Sequence, residues 1–129
     1  MYLFSYRPVA LHNFLASALA LLHAAAMTAN RNILEAIALK KCLTASYNGT
    51  SFVLAPHILY TRRDLVYLDA VPLFKNEAPP REEKMATFKV DGMSDIALAD
   101  IPFEVSTLYQ PWLDKYRETT LFAVPDLPD

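Results

Sequence analysis

The 129-residue chain is poor in the residue types that announce chemistry: it has two glycines, one cysteine and three histidines. Gly49 and Gly92 stand far apart, so no glycine-rich loop is present to cradle a phosphate. Cys42 is alone and cannot form an intrachain disulfide. One thiol with dispersed histidines also gives no zinc spacing. Cys42 therefore reads as a small buried apolar group, and a lone thiol fits a reducing, cytoplasmic compartment. The acids show no paired spacing suited to acid–base work. No enzyme, metal or cofactor is expected from these residues.

Charge of one sign is also missing. The formal net charge is −2, without the positive excess of a strongly basic nucleic-acid binder, although a local basic patch is compatible with it. The front of the chain is nearly uncharged: all fourteen acids lie at or beyond Glu35, and residues 1–27 carry only Arg7. What is abundant is apolar surface, 53% of residues, which at this length supports one domain with a real core.

Residues 1–27 are read as an apolar helical segment. Val9–Met27 is long enough to raise a signal peptide or a membrane span as alternatives. A signal finds support in Ala24–Ala26 and would export the chain, but its basic n-region is weak. A span is interrupted by His12, Asn13, Ser17 and His23, so membrane insertion is not expected. At 100° per residue Leu11, Phe14, Leu15, Ala18, Leu19, Leu21 and Leu22 share one side, which favours a packed amphipathic helix. A start at Met27 would instead make this segment an upstream extension.

Residues 28–108 are read as the main domain. Thr28 and Asn30 are suitable caps for a second helix with Ile33, Leu34, Ile37, Ala38 and Leu43 on its apolar side. Asn48-Gly49 is a strong hairpin signal between "LTASY" and "SFVLAPHILY". Asn48-Gly49-Thr50 is also a glycosylation sequon, relevant to an exported chain. Pro56 has no ladder donor and is expected at an edge or bulge. "LVYLDAVPLF" follows after the polar "TRRD", and in it both alternating sets are mostly apolar. Such a strand suits a closed barrel or a sheet covered on both sides. "KNEAPPREEK" reads as a loop, "MATFKV" as a fourth strand, and "IALADIPFEV" as one or two more. Residues 109–129 read as a C-terminal arm whose Tyr109, Trp112, Tyr116 and Phe122 pack on the domain rather than stand exposed. The fold class is thus α+β, an antiparallel sheet preceded by two helices.

The order of these pieces resembles the WYL domain family of bacteria over about Asn30 to Phe103. Val66-Tyr67-Leu68 stands where the family has its Trp-Tyr-Leu. Phe88-Lys89-Val90-Asp91-Gly92-Met93 stands where it has roughly Phe-Arg-Leu-Asp-Arg-Ile. Pro56 and Tyr47 match its proline and its tyrosine before the turn. The resemblance implies a small, strongly bent, Sm-like β-barrel with a helix against it. It also implies a non-catalytic sensor or regulator that binds an anionic small molecule or single-stranded nucleic acid. By motif position the ligand-binding candidates are Tyr67 and Lys89, then Tyr47 and His57, then Arg62, Arg63, Arg81 and Lys84. A lysine or arginine would hold the anion and a tyrosine would stack on a ring or donate its hydroxyl. Two departures stand out: Gly92 replaces a basic residue, and no helix-turn-helix precedes the sheet. Gene regulation by this chain would need a separate DNA-binding partner. A module serving only protein–protein contact or homodimerisation, without its own ligand, is the alternative.

Overall fold

The structure is a computed structural model that describes residues 16–21, 27 and 29–128. By contacts the chain separates into two compact units, Met1–Arg31 and Asn32–Asp129. In the first, residues 16–21 are helical, and Leu19 and Leu21 of the expected apolar side are exposed. Leu11, Phe14, Leu15 and Leu22 of its apolar side lie outside the described residues. Among the described residues no helix is long and apolar enough to cross a membrane.

A second helix runs over 29–39, and from Asn32 on it belongs to the second unit. Ile33, Ala36 and Ile37 are its fully buried residues. That stripe is turned from the expected one, because Ala36 is buried while Leu34 and Ala38 face solvent. The helix ends at Lys40, which takes the left-handed conformation (φ 53°) that commonly stops a helix. The Lys40 carbonyl then accepts the Phe103 N–H at 3.0 Å.

The strands are β1 (Lys41–Tyr47), β2 (Thr50–Arg62), β3 (Leu65–Lys75), β4 (Ala86–Lys89), β5 (Met93–Pro102) and β6 (Thr120–Ala123). All pairings are antiparallel, in the order β4-β3-β2-β1-β5, with β6 added beside β2. The α+β class is therefore the observed one. Barrel closure is not: among the described residues β4 pairs only with β3, and β5 only with β1. A three-residue 3-10 turn, Val90–Gly92, nevertheless joins these two outer strands. Four strand spacings of about 4.8 Å exceed what so short a link can cross, so the sheet bends at this end. Consistent with that, the Tyr47 hydroxyl on β1 accepts the Lys89 N–H of β4 at 3.2 Å.

Three two-residue turns shape the strands. Asn48-Gly49, Arg63-Asp64 and Asn76-Glu77 all have positive φ at both positions, the type I′ signature. Pro56 sits at a bulge, as its missing donor demands: Pro56 pairs with Ala70 and Ile58 with Asp69, leaving His57 as the extra residue. In β3, Leu68, Asp69, Ala70 and Val71 are buried in succession, so the sheet is covered on both faces there. The C-terminal arm supplies part of that cover through Tyr109, Tyr116 and Val124, which join the core cluster. Thr120–Ala123 of this arm, for which no strand is read from the sequence, form β6 on the far half of β2. Trp112 and Phe122 depart from the expected packing and stand 67% and 37% exposed.

Candidate functional site

The candidate residues fall into four places. Tyr47, Arg81 and Lys84 come together in a cleft of about 630 Å³. The aromatic side of this cleft is Tyr47, Phe52 and Phe88, whose rings meet edge to face: Tyr47–Phe88 at 5.1 Å and Phe52–Phe88 at 5.2 Å. Opposing them is the 76–85 loop with Pro79, Pro80, Arg81 and Lys84, and Lys75 joins from the end of β3. Three cations thus face one lining acid, Glu82. Lys75, Arg81 and Lys84 are exposed and make no salt bridge among the described residues. Lys75 had no signal in the sequence beyond its place at a strand end.

Local structure explains this clustering. Proline at 79 and 80 holds the loop extended and removes two N–H donors. The Asn76-Glu77 turn returns the chain, and Asn76 ties it to β2 by accepting the Ser51 N–H at 3.1 Å. Gly92 also has its reason here. A Cβ at 92 would lie 3.0 Å from Tyr47 Cε1, so glycine leaves the room in which the Tyr47 ring sits.

Tyr67 and Lys89 form a second place. They are directly opposed in the β3–β4 ladder, so their side chains leave the same face. Thr87 and Asp69 share that face one pair along. Tyr67 stacks on Tyr60 with centroids 6.0 Å apart. Phe88, adjacent to Lys89, points the other way, so this face and the cleft are separated by the sheet.

Arg62 closes β2 opposite Leu65, on the Tyr67 face and near enough to Tyr60 for its charge to act on that phenol, whereas Arg63 lies in the β2–β3 turn; both are exposed. His57 is fully buried at the bulge. Its Nδ1 lies 2.8 Å from the Ala55 carbonyl, and its Nε2 accepts the Ser106 N–H at 2.9 Å. Both ring nitrogens are thus engaged within the chain, which fixes the tautomer with the proton on Nδ1. Burial holds this imidazole below its ordinary value, opposed in part by the Ala55 hydrogen bond.

A third cluster was not read from the sequence. The Asp69 carboxylate, on β3, has no exposed surface. Its Oδ1 accepts from Tyr60 Oη and Thr87 Oγ1, both at 2.8 Å. Its Oδ2 accepts from Tyr116 Oη at 2.5 Å and pairs with Lys115 Nζ at 2.8 Å. Burial and the bond to Asp69 push the Tyr60 phenol up to about 12, and Tyr116 is raised by the same two causes. The signal available was an acid inside the apolar run "LVYLDAV", since a carboxylate buried there must find donors. Among the described residues no group of histidine, cysteine and carboxylate side chains is placed to hold a metal ion. Comparison of the chain with protein-family models, with curated proteins and with solved structures gives no match.

Proposed function

We propose that this chain is a ligand-sensing module of the WYL type, which binds an anionic small molecule with a planar ring and does not transform it. The observation that carries the reading is the cleft beside Tyr47, where Lys75, Arg81 and Lys84 face an aromatic wall. Charge-assisted donors would hold a phosphate or carboxylate, arginine in a fixed fork and lysine as a point charge. The edge of Phe52 and the Tyr47 ring would contact the planar group. A volume of about 630 Å³ falls within the range of small-molecule sites. A separate DNA-binding partner would carry any regulatory output.

The test is thermal stabilisation by mononucleotides and by a short single-stranded oligonucleotide. Arg81→Ala/Lys84→Ala and Lys89→Ala are compared with the parent. The cleft reading expects a mononucleotide to raise the parent's melting temperature, and the loop double variant to lose most of that rise while Lys89→Ala keeps it. If only Lys89→Ala loses the response, the site is the Tyr67–Lys89 face. If the oligonucleotide alone stabilises the parent, the ligand is nucleic acid. No response to any anion removes the sensing role.

One observation favours the interaction module instead: Trp112 is exposed on the arm, with Leu108 near it in sequence. Light scattering of the parent and Trp112→Ala separates the two readings. A dimer that the substitution dissolves would favour contact over ligand sensing.

A further inference from the structure

The Asp69 cluster joins a wholly buried carboxylate to a partly exposed ammonium that comes from the arm. Three neutral hydroxyls, from Tyr60, Thr87 and Tyr116, already satisfy three of the four acceptor positions of the carboxylate. The fourth is taken by a full positive charge, Lys115 Nζ, delivered from the arm. This ammonium also stands 5.1 Å from the Tyr116 ring centroid and 5.7 Å from that of Tyr60. A carboxylate at 2.8 Å with two aromatic rings alongside is what a receptor for an ammonium consists of. The Lys115 side chain is 41% exposed while Asp69 is wholly covered, so the ammonium enters its seat from solvent.

The seat does not depend on Lys115 for its shape. Tyr60 and Asp69 are on paired strands β2 and β3. Tyr116 is anchored separately, because its N–H donates to the Leu113 carbonyl and its carbonyl accepts the Thr120 hydroxyl at the start of β6. Removing the lysine stem would leave a charged, preformed recess open on one side.

We propose that Asp69, Tyr60 and Tyr116 form a binding site for a primary ammonium, and that Lys115 is its tethered, displaceable occupant. The ligand class is a small free alkylamine, and a lysine side chain of another protein offers the same group. A tethered occupant competes at an effective concentration in the millimolar range or above, so a free amine meets a high threshold in the parent and a low one once the tether is gone.

The experiment is chemical rescue. Lys115→Ala is expected to melt below the parent, because the buried carboxylate loses its counter-charge. Propylammonium is expected to restore the melting temperature saturably, whereas tetramethylammonium at equal ionic strength, which cannot donate a hydrogen bond, is not. Nα-acetyl-lysine amide is run alongside; rescue by it at lower concentration than propylammonium would assign the seat to a protein lysine. Asp69→Asn/Lys115→Ala is expected to show no rescue. No rescue of Lys115→Ala by either primary amine, or equal rescue by tetramethylammonium, overturns the site. If Lys115→Ala does not fold, the parent is titrated instead while the Lys115 ε-CH₂ resonance is followed. That resonance is expected to move toward the position of free lysine with propylammonium and not with tetramethylammonium. An unmoved resonance overturns the proposal equally.

Discussion

Gly92 departs from the basic residue that the WYL resemblance implies, and its neighbourhood supplies a physical reason. The Tyr47 ring lies where a side chain at 92 would begin, at 3.0 Å from an added Cβ. Gly92→Ala is expected to cost about 1–2 kcal/mol by overpacking, measured by urea denaturation. In a Tyr47→Leu background the same substitution is expected to cost much less, so a double-mutant cycle reads the contact directly. A second residue-scale expectation concerns His57. Its imidazole is held below the ordinary 6.5 in the folded chain, so the unfolded chain takes up the proton first. Its contribution to stability is complete above about pH 6.5 and declines as the pH falls from there through the folded value. Chemical denaturation between pH 8 and 5 is expected to show this decline, and His57→Gln to flatten it. Tyr60 has the opposite sense. Its phenol is raised from 10.0 to about 12, so its contribution holds below pH 10 and fades as the pH climbs through 12. Tyr60→Phe is expected to reduce the alkaline loss in a pH-dependent melting series, leaving the share that comes from Tyr116.

At the scale of elements, the turns and strand starts were legible because their chemistry is local. Asn48-Gly49 needs no distant partner to form a type I′ turn, and Pro56 announces a bulge by itself. Arg63-Asp64 forms the same kind of turn with residues poorly suited to it, at φ 53° and 64°. Arg63→Asn/Asp64→Gly is therefore expected to stabilise the chain by about 1 kcal/mol, read as a raised urea midpoint with an unchanged slope. What the sequence hid depends on contacts across long separations. β6 is not legible within the arm because "TLFA" is too short to carry a period. Its strand character comes from the open side of Ile58–Tyr60. Asp69 showed only as one member of an alternating strand, since its partners Tyr60, Thr87 and the adjacent Lys115 and Tyr116 come from three separate stretches. The helix is legible as far as Leu39, but the apolar period runs on to Leu43 although Lys41–Leu43 begin β1; Leu34 looks as apolar as Ala36, and only the approach of the sheet selects the smaller residue. Of the proposed cleft, Tyr47, Arg81 and Lys84 were named beforehand. That they meet while Tyr67 and Lys89 take the opposite face is a consequence of strand alternation combined with the β3–β4 register.

For the molecule as a whole, the formal net charge of −2 conceals an uneven distribution. The cleft gathers Lys75, Arg81 and Lys84 in a chain whose acids outnumber its bases. Anion binding there is expected to weaken as salt rises from about 0.05 to 0.5 M, because exposed charges are screened over a Debye length of about 10 Å at 0.1 M. A titration insensitive to salt would point to a ligand held by apolar contact.

The thirteen residues of β2 are shared unevenly: β1 lies along Thr50–Leu54, and β6 along Ile58–Tyr60. A ribosome making this chain exposes that second stretch long before it supplies the cover, since Thr120–Ala123 follow Ile58–Tyr60 only after β3, β4 and β5. Until then Ile58, Leu59 and Tyr60 offer a raw edge to any neighbouring nascent chain. Production of the intact fold is therefore tied to the synthesis of β6, and products truncated ahead of Thr120 are expected in inclusion bodies.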